Sequence, residues 1–217
     1  MSFGSSSAPI ARISRSALAR NVRIAHAKDP SAAIDLRRDA CGHGADLVAA
    51  AAREAGVAVV IRDGDPVVPA LALEDVFGLD GRGEPVMTLV APVLQTKALL
   101  KGEGVSYGYR YRPHRDTRVA LVSGGYAQGI ARAIGRTGDG PAAAVVIRDE
   151  ECPVIGRVAM DVCVVETGAL VIEPRDEAVF FGAGRPDLLR EWSLASGWTQ
   201  LELAAIAGLH ARREEIA

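Results

Sequence analysis

The beginning of the chain shows two hydrophobic periods, one typical of strands and one typical of helices. A short apolar run at residues 10–13 predicts a strand, and the next segment, residues 16–27, predicts a helix. Leu18, Val22 and Ala25 recur at helical spacing, so they share one face of that helix. These residues therefore predict one strand and helix unit.

The same alternation continues for a short distance. Residues 33–36 predict a second strand, and Gly42-His43-Gly44 predicts a turn into an alanine-rich helix that is closed by Gly56. Residues 57–61 predict a third strand. Strands that alternate with helices favour a parallel sheet, but the alternation stops at the turn of residues 63–66, before three units are complete.

From residue 85 onward, short apolar runs separated by turn residues predict an all-β region. The predicted strands are residues 86–93, 107–111, 118–122, 143–147, 154–159, 162–165, 169–172 and 178–181. A short helix is predicted at residues 129–134, and apolar positions predict helices within residues 187–213. We therefore divide the chain into residues 1–84 and residues 85–217, with a helical tail from about residue 184.

Composition and charge argue against several classes of partner. With 217 residues, of which 49% are hydrophobic, the chain can bury one sizeable core or two modest ones. Its 25 basic and 27 acidic residues give a formal net charge of −2, which argues against nucleic acid and anionic membranes. No apolar stretch is long enough to span a bilayer, and residues 1–9 are small and polar. Three scattered cysteines, Cys41, Cys152 and Cys163, fit a reducing compartment, so we expect a cytoplasmic protein.

Four motifs in the second part of the chain occur in an order and spacing typical of one family. They are Pro85-Val86-Met87-Thr88-Leu89, Gly102-Glu103-Gly104-Val105-Ser106-Tyr107-Gly108, Gly125-Tyr126-Ala127-Gln128-Gly129 with Arg132, and Gly156-Arg157-Val158-Ala159-Met160-Asp161. Together they resemble the C-terminal domain of alanine racemases, enzymes that interconvert the alanine enantiomers with pyridoxal phosphate. In the first part, Asp39-Ala40-Cys41-Gly42-His43-Gly44 resembles the family segment that holds the cofactor lysine.

The resemblance implies an α+β fold in which a (β/α)8 barrel precedes a β domain. A complete barrel takes roughly 250 residues, whereas only 84 residues precede Pro85. We therefore expect residues 1–84 to form a small open α/β remnant of the barrel, with an open sheet of about three strands. The all-β, alanine-racemase C-terminal-like domain and its helical tail follow.

The resemblance also implies that three cofactor contacts of the family are altered here. The Schiff-base lysine falls on Arg37, a tyrosine falls on Cys41, and the C-terminal tyrosine that precedes a glutamate falls on Leu201. A guanidinium stays protonated and offers no free amine, so Arg37 cannot form a Schiff base, and we expect a solvated surface charge there. The lysines of the chain are Lys28, Lys97 and Lys101. We expect no bound cofactor and no metal.

Four further residues match family positions near the substrate. Tyr107 matches the second base, which in the family acts in the active site of the partner subunit of a head-to-tail dimer. A tyrosine with its ordinary pKa of about 10 needs neighbouring cations to act as a base; without the barrel we expect Tyr107 to be a strand residue on the domain surface. Tyr126 and Asp161 match residues that line the substrate corridor, and Met160 matches one whose backbone amide meets the substrate carboxylate. Gln128 stands where the family usually has aspartate.

His43 lies between two glycines, which gives it the appearance of a site residue. Glycines at these positions permit a tight turn from strand to helix. A histidine without a nearby nucleophile or ligand cluster is seldom catalytic. We therefore expect His43 to belong to the turn.

Three functions are compatible with these observations. The first is a domain that is catalytically silent on its own and acts by assembly or binding, as a homodimer or with a full-length racemase, because an open sheet exposes unpaired edges. The second is a racemase that is active only when a partner chain supplies the missing barrel and Tyr107 acts in trans. The third is a decarboxylase of the same cofactor fold type, which shares a similar β domain. It too would need a Schiff-base lysine where this chain has Arg37.

Overall fold

The computed structural model describes residues 8–137 and 142–217, so most of the polar start predicted at residues 1–9 lies outside the described residues. The strands are β1 (Ile10–Ser14), β2 (Ile34–Asp35), β3 (Val60–Ile61), β4 (Met87–Leu99), β5 (Thr117–Ser123), β6 (Ala144–Ile147), β7 (Glu150–Pro153), β8 (Val162–Glu166), β9 (Glu177–Phe181) and β10 (Arg212–Ile216). The helices are α1 (Arg15–Lys28), α2 (Arg37–Cys41), α3 (Ala45–Glu54), α4 (Leu73–Phe77), α5 (Pro186–Ser196) and α6 (Gln200–His210). Two short 3₁₀ turns lie at Tyr126–Gln128 and Arg132–Ile134.

Eight strands of the described chain form one sheet, in which β4 is the central element. Six of them follow the order β10-β1-β4-β9-β6-β7, while β5 pairs with β4 and with β8. The first half of β4 pairs with β1 and β9, and its second half pairs with β5. The register shifts between Val93 and Gln95. Because such an irregularity bends a strand, β4 can pair with β1 and β9 along its first half and with β5 along its second.

The first strand belongs to this large sheet and not to the parallel sheet that the alternation predicts. β1 runs antiparallel to β4 and parallel to β10, the last strand of the chain. Ala11 and Ile13 are fully buried, whereas Arg12 forms an ion pair with Glu177 at 2.6 Å. The expectation for this strand was wrong because local periodicity predicts the type of an element but not its distant partner.

The remaining strands of the first part form a small parallel sheet with an unpaired side. β2 pairs with β3, and an isolated bridge between Ala33 and Ala70 adds a third segment. Helix α1 packs on α3 and α4. Four exposed side chains, here called the open edge, lie at β3 and in the segment after it: Val59, Val60, Val67 and Val68. The small open α/β sheet is therefore observed, with β2 and β3 as its regular strands.

Helix α5 attaches the helical tail to the large sheet through Trp192. The indole ring is buried and meets Phe180 and Phe181 edge-on, with ring centroids 5.5 Å and 5.6 Å away. Its N–H donates to the carbonyl of Ala144 at 3.1 Å. A buried indole needs such a partner, so this position combines apolar packing with a satisfied polar atom.

Several predicted elements of the β region differ from the observed ones. Residues 107–111 and 154–159 contain only isolated bridges, and residues 169–172 contain no strand. Ser106 and Tyr109 have φ angles of 62° and 47°, and this left-handed backbone interrupts an extended strand. The helix predicted at residues 129–134 is the 3₁₀ turn Arg132–Ile134, and the helical tail ends in strand β10.

Candidate functional site

The tyrosine loop, defined as residues 104–111, presents two phenols to solvent. The loop is closed by a bridge in which the Val105 amide donates to the Tyr111 carbonyl at 3.0 Å. Tyr107 is 63% exposed and Tyr109 is 65% exposed. Tyr107 is therefore a loop residue that is available for contact, and the expectation of a strand residue at this position was wrong.

A depression of about 440 Å³ lies beside the tyrosine loop. The Ser106 hydroxyl donates to the Arg157 carbonyl, which fixes the loop against one side of the depression. The other lining residues are Tyr107, Gly108, Tyr109, Ala159, Val162 and Val164. Two phenols and a guanidinium around small apolar side chains suit a ligand or protein segment that combines an acidic group with an apolar part.

Backbone contacts bring Tyr126, Met160 and Asp161 together. The Gly124 amide donates to the Asp161 carbonyl at 2.9 Å. Gly125 lies so close to the second segment that a Cβ atom there would be 2.2 Å from the Met160 carbonyl oxygen. Only glycine fits this approach. Three of the four predicted site residues thus share one corner of the β domain, while Tyr107 lies on the tyrosine loop.

Gln128 connects the two segments of this corner through its neutral amide. Its Nε2 donates to Asp161 Oδ1 at 3.0 Å, and its Oε1 accepts from the Gly125 amide at 2.9 Å. The aspartate that the family resemblance implies here would put two like charges side by side, which is unfavourable without a cation. Arg132 stacks on the Tyr126 ring at 5.6 Å from its centre, a distance typical of cation–π contacts.

Arg37 forms a half-buried ion pair with Asp35 at the position that the resemblance assigns to the Schiff-base lysine. Its Nε donates to both carboxylate oxygens, at 2.9 Å and 3.1 Å. The hydrogen bonds from Arg37 hold the pKa of Asp35 below its usual value, and the same contacts raise the pKa of Arg37. Arg37 is thus a protonated guanidinium whose side chain is 37% exposed, which agrees with the expected solvated surface charge; the ion pair with Asp35 was not part of that expectation.

The residues after Arg37 form one turn of left-handed helix. The four φ angles of residues 38–41 lie between 50° and 55°, and none of these residues is glycine. Such a backbone costs roughly 1–2 kcal/mol per residue. The turn ends at Gly42, where a Cβ atom would lie 2.7 Å from the Leu209 amide nitrogen of α6. Close packing on α6 therefore holds a strained segment in place.

The Arg38→Gly variant tests this strain. Arg38 has a φ of 52° and its side chain is exposed, so we expect the substitution to raise the free energy of unfolding by about 1 kcal/mol. The matched control is Arg23→Gly, an exposed position within α1, where glycine should lower the stability by about 1 kcal/mol. Urea unfolding measures both changes, and a destabilised Arg38→Gly variant would contradict the left-handed turn.

His43 is fully buried and stacks on Phe77, with ring centroids 3.7 Å apart and planes 2° from parallel. Its Nδ1 lies 3.1 Å from the Cys41 carbonyl oxygen, whereas Nε2 has no hydrogen-bond partner among the described residues. Burial lowers the pKa of His43 to about 4. The imidazole is therefore neutral near neutral pH, and it packs within the turn where the sequence places it.

The other two altered family positions carry no phenol. Cys41 is partly buried, and burial raises the pKa of its thiol, which is therefore protonated near neutral pH. Leu201 lies on α6 and packs against the main hydrophobic core. Neither side chain offers the charged or strongly polar donors that hold a phosphate group.

Residues 34–44, which include Arg37, contain no lysine. Lys28 ends α1 and pairs with Asp75 at 3.7 Å, Lys97 lies in β4, and Lys101 follows that strand. Within residues 8–137 and 142–217, His, Cys, Asp and Glu form no group of three or more that could hold a metal ion. No helix in the same ranges has both the length and the apolar character to cross a bilayer.

The second part of the chain matches a known family model. Residues 86–215 match the model described as alanine racemase, C-terminal domain. The chain belongs to the alanine racemase family. The matched range includes most of the large sheet, the tyrosine loop and the corner formed by Tyr126, Met160 and Asp161, so the family resemblance of the four motifs is confirmed.

Curated alanine racemases match part of this family member. The alanine racemase of Thermobifida fusca (strain YX) is 39% identical over 120 residues, which are 55% of this chain and 31% of that protein. The alanine racemase of Mycobacterium tuberculosis (strain ATCC 25618 / H37Rv) is 34% identical over 143 residues, 63% of this chain and 35% of that protein. The chain thus spans about a third of the length of these relatives.

Solved alanine racemases share the fold of this family member. The enzyme from Streptomyces coelicolor A3(2) superposes with a TM-score of 0.78 at 20% identity, over 96% of this chain and 98% of that one. The enzyme from E. faecalis gives 0.80 at 14% identity, over 100% of both chains. The Bartonella henselae enzyme, with covalently bound pyridoxal phosphate, gives 0.76 at 15% identity, over 96% and 99%. The α+β fold class is confirmed.

Proposed function

We propose that this alanine racemase family member is catalytically silent on its own and acts as an assembling domain, in a homodimer or with a full-length racemase. The observation that carries the proposal is the ion pair between Arg37 and Asp35. A Schiff base requires an unprotonated primary amine, and a guanidinium does not supply one. With Cys41 and Leu201 at the tyrosine positions, the residues present do not fit pyridoxal phosphate.

The extent of the structural match supports the loss of an internal segment. By sequence, the chain matches only 32% of the Streptomyces coelicolor racemase. By structure, the match extends over 98% of the chain from the same organism. If this shorter chain covers almost the whole extent of the longer racemase, then residues inside the racemase have no counterpart here. The small sheet of β2 and β3 is then the remnant of a larger barrel.

The open edge supports assembly. Val59 is 50% exposed and lies beside β3, whose outer side has no partner strand among the described residues. Val67, in the segment after β3, is 78% exposed. Native proteins usually cover such edges with another element or subunit. A subunit placed there would remove these valines from water and supply the missing strand partner.

Cofactor labelling tests the catalytic part of the proposal. The chain is incubated with an equimolar amount of pyridoxal phosphate, reduced with borohydride and digested, and the labelled lysine is located by mass spectrometry. We expect only weak labelling spread over Lys28, Lys97 and Lys101, equal in the native and the urea-unfolded chain. A saturating adduct on one lysine of the native chain, absent after unfolding, would contradict the proposal.

Light scattering tests the assembly. We expect a mass twice that of one chain, or a complex with a full-length racemase, and we expect Val67→Asp to abolish it because a buried carboxylate is costly. Val171→Asp is the matched control, since Val171 is also exposed, at 69%, but lies far along the chain from the open edge. A monomer that binds no racemase, or equal effects of the two substitutions, would refute assembly through this edge.

The exposure of Tyr107 favours a second candidate function, a racemase that is complete only with a partner chain. In this case Tyr107 acts as a base in the active site of the partner. A full-length racemase that lacks its own equivalent tyrosine should then regain activity when this chain is added. Tyr107→Phe should abolish the rescue, whereas Tyr109→Phe, which changes an equally exposed neighbour, should preserve it. No rescue by the unaltered chain would exclude this function.

A further inference from the structure

A second depression, of about 410 Å³, lies at the start of β5, outside the tyrosine loop and the corner of Tyr126. It is lined by Arg115, Asp116, Thr117, Arg118, Gly168 and Ala169. Neither arginine has an ion-pair partner within 4.0 Å in the part of the chain that the structure describes. Two arginines therefore line one concave surface, and neither forms an ion pair within the described residues.

The acidic groups near this depression have other partners. Asp116 Oδ1 accepts from the Lys101 amide at 2.8 Å. Glu166 lies on the neighbouring strand β8, and its Oε2 accepts from the Tyr111 hydroxyl at 2.8 Å. Both carboxylates keep their charge, but the residues that line the depression include two arginines and only one aspartate. The local charge is positive even though the whole chain carries −2.

The sequence shows the same concentration of positive charge. Residues 107–118 contain four arginines and one aspartate. Thr117 lies between Asp116 and Arg118 in the sequence. Its hydroxyl is buried and has no hydrogen-bond partner among the described residues. A buried hydroxyl without a partner is unfavourable. Thr117 also lines the depression, so a rotation of its side chain would let a bound oxygen-rich anion accept from this hydroxyl.

We propose that this depression binds a phosphate-type oxyanion between Arg115 and Arg118. Guanidinium groups hold such anions by paired, charge-assisted hydrogen bonds. The opposite wall is fixed before binding, because the Thr167 amide donates to the Arg118 carbonyl at 2.9 Å and holds the following Gly168 turn against β5. The site is independent of the proposed assembling function.

Calorimetric titration tests the site with two probes, inorganic phosphate and phenyl phosphate, at an ionic strength held constant with chloride. We expect saturable binding at one site. The Arg115→Gln/Arg118→Gln variant should bind at least about tenfold more weakly, since it loses both charged donors. Thr117→Val, which keeps the side-chain shape, should weaken binding severalfold. The control Arg23→Gln/Arg53→Gln removes two charges from α1 and α3 and should bind normally.

The two probes distinguish the sources of the anion. Tighter binding of phenyl phosphate identifies a phosphomonoester as the ligand, and equal binding identifies free phosphate; both results support the site. Thermal unfolding of each variant establishes that it is folded at the titration temperature. Absence of saturable binding to the unaltered chain would overturn the proposal, as would an equal loss in the control variant, which would show a general effect of charge.

Discussion

Lowering the pH from about 7.5 to about 4 should reduce the free energy of unfolding by about 3 kcal/mol through His43 alone. Burial lowers the pKa of this imidazole from 6.5 to about 4. The unfolded chain therefore binds a proton between these values while the folded chain does not. The stabilisation is complete above pH 6.5 and is lost as the pH falls toward 4. Urea unfolding at stepwise pH measures it.

The environment of His43 explains why the free energy of unfolding falls as the pH is lowered, and it indicates which variants test this prediction. Its ring stacks on Phe77 in an apolar site, and the nearby charges of Arg213 and Asp39 are paired with each other. His43→Phe should keep the stacking and remove most of the pH dependence in this window. His114→Phe changes an exposed histidine and should leave the dependence intact. An unaltered pH profile in His43→Phe would show that His43 is not the group that titrates.

Gly125→Ala should destabilise the β domain by about 3 kcal/mol, the upper end of the usual cost of overpacking. The backbone at Gly125 is extended, with φ of −135° and ψ of −166°, so alanine fits the conformation. The clash comes instead from the Met160 and Ala159 carbonyl oxygens, which would lie 2.2 Å and 2.3 Å from the new Cβ. The segment that carries Asp161 must therefore move away.

Gly64→Ala is the control for this substitution. Gly64 has a φ of 93° and open space around it, so alanine should cost about 1 kcal/mol through backbone strain alone. The amide resonances of Gly124 and Tyr126 should shift in Gly125→Ala and remain unchanged in Gly64→Ala. A Gly125→Ala variant with the stability of the control would show that the two segments do not approach closely.

The sequence predicted those features that depend on local pattern. Leu18, Val22 and Ala25 are buried on one face of α1, as their spacing indicates. Most strands of the second part lie within a few residues of the predicted apolar runs, because alternation along a half-buried strand is a strong signal. The four motifs correctly predicted the family, since their order and spacing are more specific than any single motif.

Features that depend on distant or unusual contacts were not predictable. The pairing of β1 with β10 joins the two ends of the described chain, and His43 contacts Phe77, which lies beyond helix α3 and strand β3 in the sequence. A left-handed turn of residues 38–41 contradicts the preference of non-glycine residues, and only packing on α6 explains it. Asp35 could have been found, because an aspartate carboxylate often accepts from the backbone amide two residues later, and here that residue is Arg37.

The most direct test of catalytic silence is the exchange of the alanine α-proton in deuterium oxide, followed by proton NMR with pyridoxal phosphate present. Catalytic silence predicts the same exchange rate with and without this chain, because Arg37 provides no amine and Tyr107 lacks the rest of an active site. Faster exchange in the presence of the chain, lost in Tyr107→Phe, would contradict it.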